Sequence, residues 1–289
     1  MRLESTSALR PNYDIKRRGR RVLPGFGLSM GYTLTYISLL VLIPLAALVL
    51  VSARLSAHEF WQILTDARTL AAFRLSIGGA TLAAVINTVF GLITAWVLVR
   101  YEFPGRKLID GLVDLPFALP TAVAGIALSA VYANNGWVGQ YLAPLGIQAV
   151  YSRTGVVLAM ILVSLPFVVR TVQPVLEDLE PELEEAAASL GAGRLTIVRH
   201  VILPALLPAI CTGFALSFAK SVGEYGSIIF VSSNMPGRTE IVPMLIMGKL
   251  EEYNYHAAAA IGVGMLVISF VMLLILNLLQ AWTRRSAAL

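Results

Sequence analysis

The stretch EEAAASLGAGRLTIVRHVILP, residues 184 to 204, interrupts a chain in which 57% of the 289 residues are hydrophobic and only 13% are charged. Soluble domains carry roughly 25% charged residues. Here the charge deficit is concentrated in long uncharged runs, which are typical of membrane spans. The stretch has an acidic start, an alanine-rich middle and a glycine turn, and it ends in Leu203-Pro204. Its role therefore depends on which side of a membrane it lies.

Six segments are long and apolar enough to cross a membrane, since a span needs about 20 residues. They lie at residues 31–53, 75–99, 112–132, 154–173, 205–231 and 257–282. The third contains Asp114, the fourth Arg170, and the fifth both Lys220 and Glu224. We expect these charged groups to face protein or water rather than lipid. The sequence thus predicts an all-α, polytopic membrane protein with six transmembrane helices.

Lysine and arginine are unevenly distributed between the two sides of this topology. With the N-terminus in the cytoplasm, fifteen of them lie inside and six outside, which is the bias that sets orientation. The predicted organisation is a cytoplasmic tail over 1–29, a transmembrane domain over 30–283 with a cytoplasmic loop over 174–204, and a cytoplasmic C-terminus over 284–289. Alternatively, residues 38–51 are the core of a signal peptide, which leaves the orientation of the other five spans unchanged.

The 174–204 loop carries the signals of a short helix. Pro181 suits a first helical position, and the three glutamates that follow stabilise the positive end of the helix dipole. Gly191 suits a left-handed cap at the helix end. A second short helix is expected from Arg194, with Pro204 opening the fifth span.

The first of these helices has a contact face made of leucine and alanine at helical spacing, namely Leu183, Ala186, Ala187 and Leu190. A surface helix lying on the bilayer is one interpretation, but such helices usually present lysine and arginine to the lipid. This helix is acidic, and its alanines allow another protein to approach the backbone closely. The residues therefore favour docking into a groove of a soluble partner.

Glu185-Ala186-Ala187, followed at fixed spacing by Gly191, Val201 and Leu203-Pro204, resembles the EAA signature of ABC-importer permeases, which have isoleucine in place of Val201. The resemblance implies a type I ABC-importer permease in a bacterial inner membrane. It implies that the loop is a coupling helix seated on a separate ATPase dimer, with the coupling residues Glu185, Ala186, Ala187, Ser189, Leu190, Gly191, Leu203 and Pro204. ATP and Mg²⁺ would be bound by that ATPase. We expect this chain to bind no cofactor and to catalyse no reaction.

Further stretches, YEFPGRKLIDGLVDLPFALPTAVAGIAL at 101–128 and SFAKSVGEYGSIIFVSSNMPG at 217–237, resemble permeases for sulfate and molybdate. The run LIMGKLEEYNYHAAAAIG at 245–262, and 60–282 as a whole, is most similar to the T-type permeases of sulfate/thiosulfate importers. This resemblance implies a second, W-type permease and a periplasmic sulfate/thiosulfate-binding protein as partners, within membrane lipid.

Three alternative functions remain: a molybdate or tungstate permease, a stand-alone secondary anion transporter, and a non-transporting membrane anchor. The secondary transporter predicts an inverted repeat, which we do not find in the sequence.

Lys220 and Glu224 are four residues apart and therefore neighbours on one helix face. In one interpretation they neutralise each other, because a lone charge within a membrane is costly. In the other, Lys220 attracts a dianion on its path and Glu224 keeps it from binding too tightly. The glycines Gly223 and Gly226, in the sequence GEYG, permit a bend that would suit a gate.

Pro116 and Pro120 predict a break in the third span. Such breaks are tolerated where protein or a water-filled cavity satisfies the freed backbone groups. We expect a kinked pore-lining helix with Thr121 and Ser129 facing the pathway; a plain packing kink is the alternative.

The sequence carries no catalytic or metal-binding pattern. The run LGAGRLT at 190–196 lacks the first glycine and the lysine of a phosphate-binding loop. The three histidines fall in loops or at span edges and form no Ser–His pair or metal cluster. The net charge of +5 is explained by topology rather than by nucleic acid. Cys211 is expected to be a packing residue, and HEFWQIL at 58–64 an outer-surface helix.

Overall fold

The computed structural model describes the backbone of residues 26–286 and the side chains of residues 26–278. Every regular element in that range is a helix, and no strand occurs there. Most of the predicted tail 1–29 and the last three residues of the predicted C-terminus lie outside the described residues. The chain separates into two units, which divide between Ala47 and Leu48. The all-α fold class predicted from the sequence is confirmed.

The main helices are α1 Phe26–Ser52, α2 Ala57–Thr65, α3 Ala67–Arg100, α4 Arg106–Ala118, α5 Thr121–Tyr132, α6 Arg153–Glu177, α7 Pro181–Ser189, α8 Arg194–Val222, α9 Val242–Glu251 and α10 Tyr255–Ser286. Among the described residues, α1, α3, α6, α8 and α10 are long and apolar enough to span a membrane. The pair α4 and α5 makes a sixth span if the two helices are counted as one, although the chain bends by 115° between them.

Three of these helices, α3, α6 and α8, pack against one another at small residues. Val168 of α6 lies between Gly91 of α3 and Gly213 of α8. A Cβ atom on Gly91 would lie 2.9 Å from Val168 Cβ, and one on Gly213 would lie 3.0 Å from Val168 Cα. Close packing at small residues is a principal source of helix association in lipid. The two glycines therefore set how closely the three helices approach.

A buried hydrogen-bond network joins the same three helices. Asn87 Nδ2 of α3 donates to Ser164 Oγ of α6 at 2.8 Å and to the Ile161 carbonyl oxygen at 3.0 Å. Ser217 and Ser221 of α8 each donate to Ser164 Oγ at 3.0 Å. Such bonds contribute about 0.6 kcal/mol each inside membrane proteins, so their main consequence is to fix the rotational setting of the helices.

The predicted third span, 112–132, consists of two helices rather than one kinked helix. Helix α4 continues past Pro116 and ends at Ala118, and Pro120 is the residue before α5. Leu119 has extended backbone angles, φ −80° and ψ 133°, because a following proline disfavours the helical conformation. Of the two prolines, it is therefore Pro120 that separates the helices, and the turn is much sharper than a kink.

Arg170 holds α4 against α6. Its Nε and Nη2 atoms donate to the two carboxylate oxygens of Asp114 at 2.7 and 2.6 Å, and Nη1 donates to Asp110 Oδ1 at 2.6 Å. Nη2 also donates to the Asp110 carbonyl oxygen at 2.8 Å. The charges of the predicted third and fourth spans thus face each other, as expected for charged groups that avoid lipid.

The helix in the region of the predicted fifth span begins and ends earlier than the predicted range 205–231. The short helix expected from Arg194 is the first part of α8, which continues through Pro204 without a break. A π-helical stretch, Val198–Ile202, precedes the proline, and the Leu203 N–H donates to the Val198 carbonyl oxygen five residues back. The helix ends at Val222, before Gly223.

The helix predicted at 58–64 is confirmed as α2. Its start is a capping box in which Ser56 Oγ accepts from the Glu59 N–H and the Glu59 carboxylate accepts from the Ser56 N–H. These bonds hold the pKa of Glu59 below its ordinary value. Leu64 packs towards Gly264 of α10, where a Cβ atom would lie 2.8 Å from the leucine. The Trp61 side chain is exposed.

Candidate functional site

We call residues 181–204 the acidic segment. Its first helix, α7, begins with Pro181 at the first helical position, as predicted. At its other end the Gly191 N–H donates to the Ala188 carbonyl oxygen at 2.9 Å, and the Ala192 N–H donates to the Ala187 carbonyl oxygen at 3.1 Å. This is a Schellman cap. Gly191 has φ +86°, so the left-handed cap predicted from the sequence is confirmed.

The acidic segment exposes its large apolar side chains. Leu190 is 89% exposed and Leu195, on the other side of the glycine turn, is 81% exposed. Leu183 is also exposed, and no atom lies within 4 Å of the position where a Cβ on Gly191 would be. The predicted contact face is therefore uncovered, with Ala187 its only half-buried member. Leucines at this level of exposure, beside a backbone open to close approach, suit a protein-binding surface.

An ion pair fixes α7 to the end of α3. Glu184 accepts a hydrogen bond from the guanidinium of Arg100, the last residue of α3. The same guanidinium lies 5.5 Å from the ring centroid of Trp96, within range of a cation–π contact. The pair attaches the first turn of α7 to a spanning helix that is not its neighbour in the sequence. The pair leaves no local signal in the sequence because its two residues are 84 positions apart.

Lys220 and Glu224 form the ion pair that their spacing predicts, with Lys220 Nζ 2.6 Å from Glu224 Oε2. Glu224 lies beyond the end of α8, and its side chain is 2% exposed, whereas that of Lys220 is 34% exposed. The other carboxylate oxygen, Oε1, accepts from the Ser227 N–H at 3.0 Å and from Ser227 Oγ at 2.9 Å. The carboxylate is therefore held from two sides, while the Lys220 side chain keeps an accessible surface.

Helix α5 packs directly on the segment that contains GEYG. A Cβ atom on Gly226 would lie 2.2 Å from Thr121 Oγ1, and one on Gly125 would lie 2.3 Å from the Ser227 carbonyl oxygen. Ser129 Oγ donates to the Phe230 carbonyl oxygen at 2.7 Å. Two predicted pathway residues, Gly226 and Thr121, are thus in contact, although they lie far apart in the sequence.

The structure requires glycine at one of the predicted pathway positions and not at another. Gly223 has φ −88° and open space around its Cβ position, so its backbone does not require glycine. Gly226 is required by its contact with Thr121. Pro120 directly precedes α5, beside this contact. Gly125, which is required for the same packing, was missed; a glycine within an apolar helix was its only sequence signal.

A polar cavity of about 380 Å³ lies beside the GEYG segment. Tyr225 and Ile229 contribute to its wall, and Arg68 pairs there with the buried Glu240 through two bonds of 2.7 Å. Its charged lining residues are Arg68 and three glutamates, Glu240, Glu251 and Glu252, so the cavity carries an excess of negative charge. The surroundings of Lys220 and Glu224 remain the candidate pathway, and the acidic segment is the candidate docking surface. Along α8, Leu203 and Lys220 are about 26 Å apart at 1.5 Å per residue.

Within residues 26–278, no three His, Cys, Asp or Glu side chains are grouped closely enough to hold a metal ion. The half-buried thiol of Cys211 lies within α8. The charged groups described above are bound to one another rather than arranged as a nucleophile and its base.

Comparison with known proteins identifies the family to which the chain is similar. Residues 87–287 match the model of the family described as "Binding-protein-dependent transport system inner membrane component". The chain is 48% identical over 262 residues to the sulfate transport system permease protein CysT of Salmonella typhimurium strain LT2, covering 91% of this chain and 95% of that protein. It is 49% identical over 255 residues to the CysT protein of Synechocystis sp., covering 88% and 89%.

Among solved structures, the chain resembles a chain of a bacterial ABC transporter involved in the import of the acidic polysaccharide alginate. The TM-score is 0.73 at 17% identity, covering 90% of this chain and 94% of that one. At that identity the likeness concerns the fold alone. The predicted ABC-importer permease fold is thereby confirmed.

Proposed function

The chain belongs to the family of binding-protein-dependent transport system inner membrane components, and on this premise we propose that it is a permease subunit of an ABC importer for sulfate. The observation that carries the cargo is the 48% identity to a sulfate permease over 91% of the chain. Thiosulfate, which has the same charge and a similar tetrahedral shape, is proposed as a second cargo. The chain would supply one half of the pathway, and a second, W-type permease the other half.

The acidic segment is proposed as the contact with the ATPase dimer, which binds and hydrolyses ATP with Mg²⁺. This proposal is supported by the exposed leucines beside Gly191 and by the Arg100–Glu184 attachment to α3. Closure of the ATPase dimer would move α7, and α3 and α8 would follow as rigid elements. The residues proposed to make the contact are Glu185, Ala186, Ala187, Ser189, Leu190 and Gly191, with Leu203 and Pro204 at the start of the span.

The proposed orientation places the acidic segment and both termini in the cytoplasm. It is supported by the excess of lysine and arginine on that side. The opposite ends of α3 and α6 then face the periplasm, where a sulfate/thiosulfate-binding protein would deliver the cargo. Because Lys220 is the one cation proposed on the pathway, the binding protein would provide most of the selectivity among oxyanions.

Within the pathway, Lys220 is proposed to attract the dianion and Glu224 to limit how tightly it binds. The partly exposed lysine side chain and the buried carboxylate support this division of roles. An ion must be bound weakly enough to leave again, and a lysine already paired at 2.6 Å meets that condition. The contact of Gly226 with Thr121 would then form part of a gate between α5 and the segment that follows α8.

Sulfate uptake by cells that lack this chain tests the cargo. Re-expression of the chain with its partners is expected to restore uptake of isotopic sulfate, with thiosulfate competing strongly and molybdate weakly. In membrane vesicles, uptake is expected to require ATP and the binding protein and to ignore imposed ion gradients. Strong competition by molybdate alone would assign the chain to molybdate or tungstate. Uptake driven by an ion gradient without ATP would instead indicate a secondary transporter.

A further inference from the structure

Three arginines from three parts of the chain line one cavity. The cavity has a volume of about 450 Å³, within the roughly 300–1,000 Å³ of ligand pockets. Arg74 comes from the second turn of α3, Arg153 is the first residue of α6, and Arg238 lies in the loop before α9. The remaining wall is made of glycines and aliphatic side chains, and no acidic residue contributes to it.

These three arginines lack the carboxylate partners that other arginines of the molecule have. Arg68, Arg100 and Arg170 each form an ion pair at 2.7 Å or less. Among the described residues, no Asp or Glu lies within ion-pair distance of the three arginines of the cavity. Three like charges around one cavity repel each other, so the arrangement favours an anion between them.

The helix geometry increases the positive potential at this position. Arg153 occupies the first position of the 25-residue helix α6, where the helix dipole disfavours a cation and favours an anion. The cap of this helix is the hydroxyl of Ser152, whose Oγ accepts from the Gly155 N–H. Because a hydroxyl is neutral, it does not balance the charge of Arg153. An arginine at this position reduces helix stability unless an anion lies close by.

The loop that carries Arg238 is held in a defined shape. Ser232 Oγ donates to the Thr239 carbonyl oxygen at 2.8 Å, and the Arg238 N–H donates to the Met235 carbonyl oxygen at 3.0 Å. Arg153 Nε donates to the Arg238 carbonyl oxygen at 2.9 Å, which joins two of the three arginines. The arginine backbones are therefore positioned before any ligand arrives, which reduces the entropic cost of binding.

We propose that Arg74, Arg153 and Arg238 form a binding site for a tetrahedral oxyanion group. Guanidinium groups match the geometry of such groups and bind them through charge-assisted hydrogen bonds. The group is either a free sulfate-type dianion or the phosphate of an anionic lipid. Arg74 lies about 39 Å along α3 from Arg100, at 1.5 Å per residue, so the site is at the opposite end of the bundle from the acidic segment.

The free-anion form of this proposal rests on the proposed function. With the acidic segment in the cytoplasm, the site lies at the periplasmic ends of α3 and α6, where sulfate arrives. There it would hold a dianion released from the binding protein before the dianion reaches Lys220. The phosphate form requires only a lipid at the outer surface, and it does not depend on the cargo.

The test uses the complex of this chain with its permease and ATPase partners, without the binding protein, in lipid nanodiscs. Equilibrium binding of isotopic sulfate is measured at constant ionic strength in discs of phosphatidylcholine alone. Retention of phosphatidylglycerol is measured by native mass spectrometry in mixed discs. The variants are Arg74→Gln, Arg153→Gln and Arg238→Gln, and the matched control is Arg54→Gln, an exposed arginine outside the cavity.

We expect each cavity variant to weaken binding of the anion about tenfold or more, and Arg54→Gln to leave it unchanged. Loss of sulfate binding identifies the free anion as the ligand, and loss of phosphatidylglycerol retention identifies the lipid phosphate. The proposal is overturned if well-folded cavity variants bind both probes as the wild type does, or if neither probe binds the wild type. A fall in uptake with unchanged probe binding also overturns it, in favour of a contact with the binding protein.

These outcomes are separate from a failure of the proposed function. If sulfate is not the cargo, wild-type cells show no sulfate uptake through this chain, whatever the cavity variants bind. Monodispersity and thermal unfolding of each variant are measured alongside, because Arg153 also holds the loop through the Arg238 carbonyl oxygen. The Arg74 side chain donates no hydrogen bond to another described residue, so Arg74→Gln tests the site even where Arg153→Gln misfolds.

Discussion

Gly191→Asp is expected to lower ATPase co-purification and sulfate uptake about tenfold while the permease itself still folds. Gly191 has φ +86°, and an L-residue in the left-handed conformation costs about 1–2 kcal/mol, which corresponds to roughly tenfold in binding. The new carboxylate also lies beside the exposed Leu190. Both effects act on the cap that positions the proposed docking surface. Copy number of the ATPase per permease and uptake of isotopic sulfate are the measurements.

Gly193→Asp is the matched control for this substitution. Gly193 is two residues away and equally exposed, but its φ is −71° and it precedes the helix that starts at Arg194. Asp is a favourable residue at that capping position, so the same charge is introduced without backbone strain. We expect Gly193→Asp to retain most ATPase binding. Normal uptake and normal ATPase content in Gly191→Asp would count against docking at this surface.

Lys220→Met is expected to reduce the amount of assembled permease severely. It leaves the Glu224 carboxylate, which is 2% exposed, without its counter-charge. Removing one partner of a fully buried ion pair costs roughly 3–5 kcal/mol, and because the Lys220 side chain is 34% exposed, solvent screening lowers the cost here below that range. The Ser227 N–H and hydroxyl still donate to the carboxylate, but they supply no full positive charge. The measurement is the yield of monodisperse complex from matched membranes, compared with the wild type.

The double variant Lys220→Met, Glu224→Gln separates the two roles of the lysine. The glutamine amide oxygen still accepts from Ser227, so assembly is expected to recover close to the wild-type yield. Sulfate uptake is expected to remain at least about tenfold lower, because the accessible cation is gone. Recovery of uptake together with assembly would instead mean that the two charges serve only to neutralise each other.

Local sequence signals predicted the acidic segment well. Pro181 and Gly191 act through their own backbone preferences, which a sequence displays directly. The Lys220–Glu224 pair was also readable, because a spacing of four places side chains together. The end of the helix beside this pair could not be predicted, since α8 ends at Val222 while residues 223–231 remain mostly apolar. Hydropathy does not distinguish a helix from a buried turn.

The predicted third and fifth spans differ from the structure for non-local reasons. Leu119-Pro120 signals a break, but the angle between α4 and α5 depends on Arg170 holding α4 and on Gly125 meeting Ser227. In the fifth span, Pro204 suggests a helix start, yet a π-helical stretch accommodates it within a longer helix. These outcomes depend on contacts between residues far apart in sequence, which a single sequence does not display.

Cross-linking from the acidic segment tests the docking claim most directly. In a Cys211→Ala background, Leu190→Cys is labelled with benzophenone maleimide and irradiated in the assembled, transport-active complex. Leu190 is 89% exposed, and Trp137→Cys, at a position 84% exposed in the connection between α5 and α6, is the control. The account predicts an adduct between the ATPase subunit and the residue-190 probe, and none from residue 137. An ATPase adduct from residue 137, or none from residue 190, would contradict it.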